Sequence, residues 1–252
     1  MNGRALAVSI LPTLAVLAGL QGFAGAGMLP VFIPSPAQVG AAVLARPGQL
    51  GANLAATAFT AAEGFLIAAA VTFGLAGLAA AFRRVQGGIY GLGVVLHAIP
   101  VIATAPLLAL CLGTGGHMQV VIVALAAQFP LLVGAMQGLA ASDFRLLEML
   151  HTLSATRWQT VRYVQLPAAL PLLFAGCRIS TPLAVLGAVT AEWAGADRGI
   201  GAMMLSALFA YDVTTVWVAV LTCCALAATV YGLWSALERL ALRWNRPAEL
   251  PL

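Results

Sequence analysis

The stretch Glu148-Met149-Leu150-His151-Thr152-Leu153-Ser154-Ala155-Thr156-Arg157-Trp158-Gln159-Thr160-Val161-Arg162-Tyr163-Val164-Gln165-Leu166-Pro167 is the most polar of its length in an otherwise apolar chain. It lies between two hydrophobic runs. Leu146, Leu147, Leu150 and Leu153 recur at helical spacing and predict a short amphipathic helix. Ser154-Ala155-Thr156 interrupts it. Thr156 and Gln159 have the spacing of a capping box, so a second helix is expected from Arg157, with Trp158, Val161 and Val164 as its apolar stripe. Pro167 has no backbone N–H to donate and suits the first turn of the next span. The segment is too polar to cross a bilayer and too periodic to be a loose loop. It is expected to lie on the membrane surface as two short helices, either as a docking element or as an interfacial connector with no partner.

The surrounding chain supplies the membrane. Of 252 residues, 62% are hydrophobic and 8% are charged, where soluble domains carry about 25% charged residues. The composition excludes a soluble core and implies an all-α polytopic membrane protein embedded in a lipid bilayer. All twelve basic residues are arginine, and none forms an aromatic-interleaved basic cluster, so no nucleic-acid partner is expected. Cys111, Cys177, Cys223 and Cys224 lie in apolar runs without metal-ligand spacing. They are expected to pack as inert side chains, and no metal site is expected.

Six spans are predicted. Ala5 to Gln21 is the first, read as an uncleaved helix in preference to a signal peptide cleaved near Ala24-Gly25-Ala26. Gly22 to Asn53 is a connector whose Ile33-Pro34-Ser35-Pro36 cannot be helix interior, followed by a short helix from Ala37 to Ala45. Leu54 to Phe82 is the second span and contains Glu63. Ile89 to Leu112 is the third, broken between Pro100 and Pro106. Irregular backbone at membrane depth survives where protein or a water-filled cavity covers it. His97, Pro100, Thr104 and Pro106 are therefore candidates to line a solute path, with a packed proline kink as the alternative. Met118 to Leu139 is the fourth span, with Gln128 a further path candidate and Gly134 and Gly138 spaced for close helix approach. Ala168 to Val189 is the fifth and carries Arg178. An intramembrane arginine costs about 2.5 kcal/mol or more unless it is paired or hydrated. Two readings stand: an ion pair with Glu63 at matching depth, or an anion contact in the path. A polar connector, Thr190 to Asp212, precedes the sixth span, Val213 to Leu237.

Arginine placement sets the orientation. Arg4, Arg83, Arg84, Arg145, Arg157, Arg162, Arg239, Arg243 and Arg246 share one side of this topology, against Arg46 and Arg198 on the other. The positive-inside bias puts both termini and the Glu148 segment in the cytoplasm. The chain has no Walker-type phosphate loop, nucleophile elbow or His-Glu-x-x-His motif, so no catalytic residue is assigned.

The Glu148 segment resembles the cytoplasmic loop of ABC importer permease subunits, whose pattern is E-A-A, three residues, G, nine residues, I-x-L-P. Glu148 matches the first position, and Val164, Leu166 and Pro167 match the last. Met149-Leu150 replace the alanines and Ser154 stands in place of glycine. A left-handed serine costs about 1–2 kcal/mol, so a different turn geometry is expected there. Ala191-Glu192-Trp193-Ala194-Gly195-Ala196-Asp197-Arg198-Gly199-Ile200-Gly201 resembles the A-E-x-x-G-…-G-[LI]-G segment of the nitrate/sulfonate/taurine branch, as does Pro34-Ser35-Pro36-x-x-Val. The resemblance implies a type I importer permease fold of six transmembrane helices in the bacterial inner membrane. It divides the chain into a first helix and connector (1–52), a permease domain (53–242) and a cytoplasmic tail (243–252).

It also implies partners: a second copy of this chain, an extracytoplasmic solute-binding protein, and an ATP-binding subunit that holds ATP and magnesium. This chain itself would bind no cofactor. Glu148, Ser154, Ala155, Thr156 and Arg157 would couple to the ATPase together with Trp158, Gln159, Val164, Leu166 and Pro167. Glu192 joins the path candidates. The implied cargo is a sulfonate-, nitrate- or taurine-like anion or a heteroaromatic compound resembling the thiamine pyrimidine. The competing reading is an ion-coupled transporter or channel using Glu63, His97 and Arg178 as a relay.

Overall fold

Prolines set most of the helix starts. The computed structural model of the chain describes residue 12 and residues 15–16, 18–26, 30 and 32–242. Ser35 caps α1 (Pro36–Ala45): its hydroxyl accepts from the Gln38 N–H at 3.2 Å, and the Gln38 amide oxygen accepts from the Ser35 N–H at 2.8 Å. This is the short helix expected after Pro36. Pro47 then opens α2 (Pro47–Ala81), which begins seven residues before the expected Leu54 and is 35 residues long. At 1.5 Å per residue it is about 50 Å long, well beyond a hydrocarbon core of about 30 Å, so it protrudes from the bilayer.

The third span is broken, as expected, at Ile99-Pro100. α3 (Gln86–Ala98) and α4 (Val101–Leu112) meet at 94°. Pro106 does not break the backbone and is carried inside α4. α5 (Gly116–Ala140), α8 (Leu166–Trp193) and α10 (Val213–Ala241) are the other long helices. Among the described residues four helices are long and apolar enough to cross a membrane, and the bent α3–α4 pair supplies a fifth crossing or a re-entrant loop. The first expected span, Ala5 to Gln21, lies largely outside the described residues. So does the question of its cleavage.

α5 is the centre of the bundle. Its Val123, Ala127 and Leu131 pack with Ala61, Phe65 and Ala68 of α2 and with Ala184, Val185 and Ala188 of α8. Gly134, Gly138 and Gly176 let α5 and α8 meet at backbone contact, as the spacing of the first two predicted. Of the four cysteines, Cys177 is buried and Cys223 half-buried, whereas Cys111 and Cys224 are exposed on the single subunit. Inert packing inside the chain therefore describes only the first pair.

The expected connector from Thr190 to Asp212 is mostly helical. α8 continues to Trp193, and α9 (Ile200–Phe209) follows. Asp212 caps the next helix, accepting from the Thr215 N–H at 3.1 Å and the Thr215 hydroxyl at 2.7 Å. The bonds to Thr215, ahead of attraction from Arg46, hold its carboxyl below the usual range. A depressed carboxyl stabilises the fold above its unfolded pKa, about 4, and loses that contribution as pH falls through the lower folded value. Asp212→Ala is expected to cost about 1 kcal/mol at neutral pH. The gap from the parent protein should close in acid, which thermal melts at pH 7 and below pH 4 would show.

Candidate functional site

The Glu148 segment is built from two capped helices, of which only the first ends within it. α6 (Phe144–Thr152) is started by Asp143, whose carboxylate accepts from the Arg145 N–H at 2.9 Å. It ends in a left-handed turn at Ser154, φ 55°. There the Ala155 N–H donates to the Leu150 carbonyl and the Ser154 N–H to the His151 carbonyl, each at 3.0 Å. This is the closure a glycine ordinarily makes. The different geometry expected from serine is not adopted: the two hydrogen bonds outweigh the strain, and the glycine conformation is kept without glycine. Ser154→Gly is therefore expected to raise stability by about 1 kcal/mol, read as a higher thermal midpoint of the purified protein.

Thr156 and Gln159 close the expected capping box. The Thr156 N–H donates to the Gln159 amide oxygen at 2.7 Å and the Gln159 N–H to the Thr156 hydroxyl at 3.3 Å. α7 (Arg157–Thr160) then passes through a π-helical turn, Val161–Gln165, directly into α8. The expected separate second helix is in fact the start of one helical run, Trp158–Trp193. Pro167 does not end it, because near the start of α8 its missing N–H is absorbed by the wider π turn. Trp158 is 67% exposed and Leu153 67%, leaving an apolar surface uncovered at this end of the chain. Glu148, Leu166 and Pro167 frame the segment. Val164 and Ala155 are half-buried within it.

At the opposite end of α8 lies a buried polar cluster. Glu192 is 1% exposed. Its carboxylate accepts from the Thr57 hydroxyl at 2.7 Å and from the Gly201 N–H at 2.6 Å. Thr57 in turn accepts from the Ile200 N–H at 2.8 Å, and the Asn53 side-chain oxygen accepts from the Gly199 N–H at 3.0 Å. Three orphan amides at the start of α9 thus find partners on α2 and α8. Gly199 has φ +130°, and a Cβ there would collide with the Glu192 carboxylate. The geometry explains the Glu192…Gly199-Ile200-Gly201 spacing as a helix cap, although Glu192 was expected in a solute path. Asn53 and Thr57 give no sequence signal, because nothing local links them to residues about 140 positions away.

The expected Glu63–Arg178 ion pair is not formed. Arg178 Nη1 donates to Glu238 Oε2 at 2.9 Å, and its guanidinium lies 5.5 Å from the centre of the Tyr231 ring. Glu63 is exposed on α2. The two helices place Arg178 beside the last turn of α10, which carries Glu238. Glu238 was hidden among the terminal charges next to Arg239. A charge swap discriminates the pairs. Arg178→Glu is expected to cost about 1–2 kcal/mol, between the limits for surface and buried pairs. Adding Glu238→Arg should recover stability in melts, and adding Glu63→Arg should not.

The other path candidates do not converge. His97 is exposed and stacks on Phe129 with 4.6 Å between ring centres. Pro100 forms the break. The Thr104 hydroxyl is used by the Val101 carbonyl at 2.7 Å, and Pro106 is exposed on α4. The Gln128 side-chain nitrogen is buried without a hydrogen-bond partner among the described residues. Glu63, His97 and Arg178 are not hydrogen-bonded to one another and form no relay.

Comparison with known proteins agrees with this architecture. The chain is 38% identical over 149 residues to the riboflavin transport system permease protein RibX of Chloroflexus aurantiacus, covering 59% of this chain and 56% of that one. It is 31% identical over 164 residues to the formylaminopyrimidine transport permease protein ThiX of Halalkalibacterium halodurans, covering 65% and 66%. The chain thus spans less than two thirds of the length of these two relatives. SsuC of Bacillus subtilis, named as an aliphatic sulfonates transport permease, is 28% identical over 249 residues, covering 99% and 89%. The fold matches a chain of the inward-facing MetNI methionine ABC transporter with a TM-score of 0.60 at 19% identity, over 75% of this chain and 92% of that one. Residues 55–242 match the model of one family throughout, and the chain belongs to the binding-protein-dependent transport system inner membrane components, the permeases of ABC transporters.

Proposed function

We propose that this chain is the membrane-spanning half of an ATP-driven importer for a small heteroaromatic solute. In this reading two copies form the path, an ATP-binding subunit holding ATP and magnesium docks on the Glu148 segment, and an extracytoplasmic binding protein delivers the cargo. The observation that carries the reading is the continuity of the Glu148 segment with α8. An exposed α6 closed by a tight turn is joined through α7 and a π turn to a helix that crosses the bilayer. A push on α6 and α7 is therefore delivered to the whole bundle through one rigid rod. The arginine bias supports a cytoplasmic position for that segment and for both termini.

Glu63 supports the second copy. It is exposed midway along α2, and a carboxylate facing hydrocarbon is costly. That face of α2 is best covered by another subunit or by water in a path. The heteroaromatic cargo is supported by the printed names of RibX and ThiX. The sulfonate relative keeps an organic anion as the second reading of the cargo.

Co-purification with the ATP-binding protein tests the reading. The complex should hydrolyse ATP in lipid, and deleting Glu148 to Val164 should abolish both association and stimulated hydrolysis. Arg157→Glu with Trp158→Ala should reduce coupling at least tenfold. A chain that purifies alone and moves solute without ATP would overturn the proposal.

A further inference from the structure

We propose that a cavity beneath α6 is a binding site for a small, uncharged, planar heterocycle, and that filling it restrains the coupling segment. The proposal rests on the importer reading for its cytoplasmic side. The cavity has a volume of about 550 Å³, within the range of small-molecule sites. It lies where the end of α2, the start of α3 and the end of α5 meet α6 and the π turn.

The lining defines the ligand. Ala76, Ala79 and Ala80 present a low apolar wall, against which a flat ring can lie. Gln86 and Gln165 supply the polar groups. Their two amides offer donors and acceptors together, as the edge of an aminopyrimidine or a related ring requires. None of the described lining residues is charged, and an unpaired anion is expensive to desolvate, so these walls suit an uncharged ring better than a sulfonate or nitrate ion.

The position defines the consequence. Leu147 of α6 and Gln165 of the π turn form one side, and the ends of α2, α3 and α5 form the other. Any movement of the coupling segment relative to the bundle changes the shape of this cavity. A ligand that bridges the two sides favours the one geometry that fits it and opposes the stroke. The site faces the compartment into which cargo is released. It would report the accumulation of cargo or of a compound with the same ring chemistry.

The test uses the complex of this chain with its ATP-binding subunit in lipid nanodiscs, with cytosine and riboflavin as uncharged probes and taurine as the charged control. Equilibrium dialysis should show saturable binding of at least one heterocycle, with ATP hydrolysis lowered several-fold by the same compound and unaffected by taurine. Ala80→Trp, which fills the cavity from an exposed wall position, should remove both effects. Gln86→Leu should weaken binding about tenfold and keeps the test valid if the tryptophan variant does not fold. Absence of saturable binding, equal binding by both variants, or equal competition by taurine would overturn the proposal. Uptake of the probes into proteoliposomes carrying the binding protein is measured alongside. Uptake without binding from the cytoplasmic side removes this site and leaves the cargo reading standing. Binding without uptake removes the cargo reading and leaves the site.

Discussion

Glu192→Ala is expected to lower stability by about 2–6 kcal/mol, the cost of leaving two buried donors without an acceptor. The Thr57 hydroxyl and the Gly201 N–H would lose the acceptor they share at 2.7 and 2.6 Å, and each buried donor left without a partner costs about 1–3 kcal/mol. The loss is not local. The carboxylate joins α8 to α9 directly and to α2 through Thr57, so α9 would be released from the bundle along with its cap. Thr57→Val should show a smaller loss of the same kind, because it also orphans the Ile200 N–H. Glu192→Gln retains one acceptor oxygen and should fall between them. Gly199→Ala should approach Glu192→Ala in severity, since a side chain at φ +130° is strained and its Cβ would occupy the place of the carboxylate. Thermal melts of the purified protein would show the order, with a drop on the order of 10 °C for Glu192→Ala. Normal stability with transport lost would return Glu192 to the solute path.

This network marks the boundary of what the amino-acid order makes legible. The local devices were readable because both partners lie within a turn of each other. Thr156 and Gln159 are three residues apart and form the bonds their spacing requires. The break at Pro100 follows from one missing donor, and the span positions follow from hydropathy. Long-range pairings were not readable in the same way. Arg178 was matched to Glu63 by depth alone, and its actual partner, Glu238, lies 60 positions away near the end of α10. The start of α8 was placed too late because Pro167 reads as a helix stop, whereas a π turn carries the helix past it. Glu192 stood out through the motif resemblance of Ala191 to Gly201. Its role needed Thr57 and Asn53, more than a hundred residues away. The cavity beneath α6 had no sequence signal, since alanines and glutamines at helix ends are ordinary until the helix ends meet.

The close approach of α5 and α8 carries the second large effect. A Cβ built at Gly134 would lie 2.6 Å from the Leu172 carbonyl oxygen and 3.0 Å from the Gly176 Cα. One built at Gly176 would lie 2.9 Å from the Pro130 carbonyl oxygen. Both neighbours are backbone, so no rotamer change relieves the overlap, and the helices must separate. Separation opens the contact that Gly138 makes with Ala169 one turn further on, and it loosens the packing of Leu131 and Ala127 against α8. Overpacking costs typically 1–3 kcal/mol where side chains can adjust, so Gly134→Leu is expected to cost about 3 kcal/mol or more. In lipid there is no hydrophobic drive to bring separated helices back together, so the expected result is poor recovery of folded protein rather than a uniformly shifted melt. Gly134→Ala, with a single methyl to accommodate, should remain purifiable with a lowered midpoint. Gly77→Ala, at a position on α2 open to its surroundings, is the matched control, and its midpoint should stay the same or rise slightly. Equal behaviour of Gly134→Leu and the control would mean that α5 and α8 do not meet at backbone contact in the membrane.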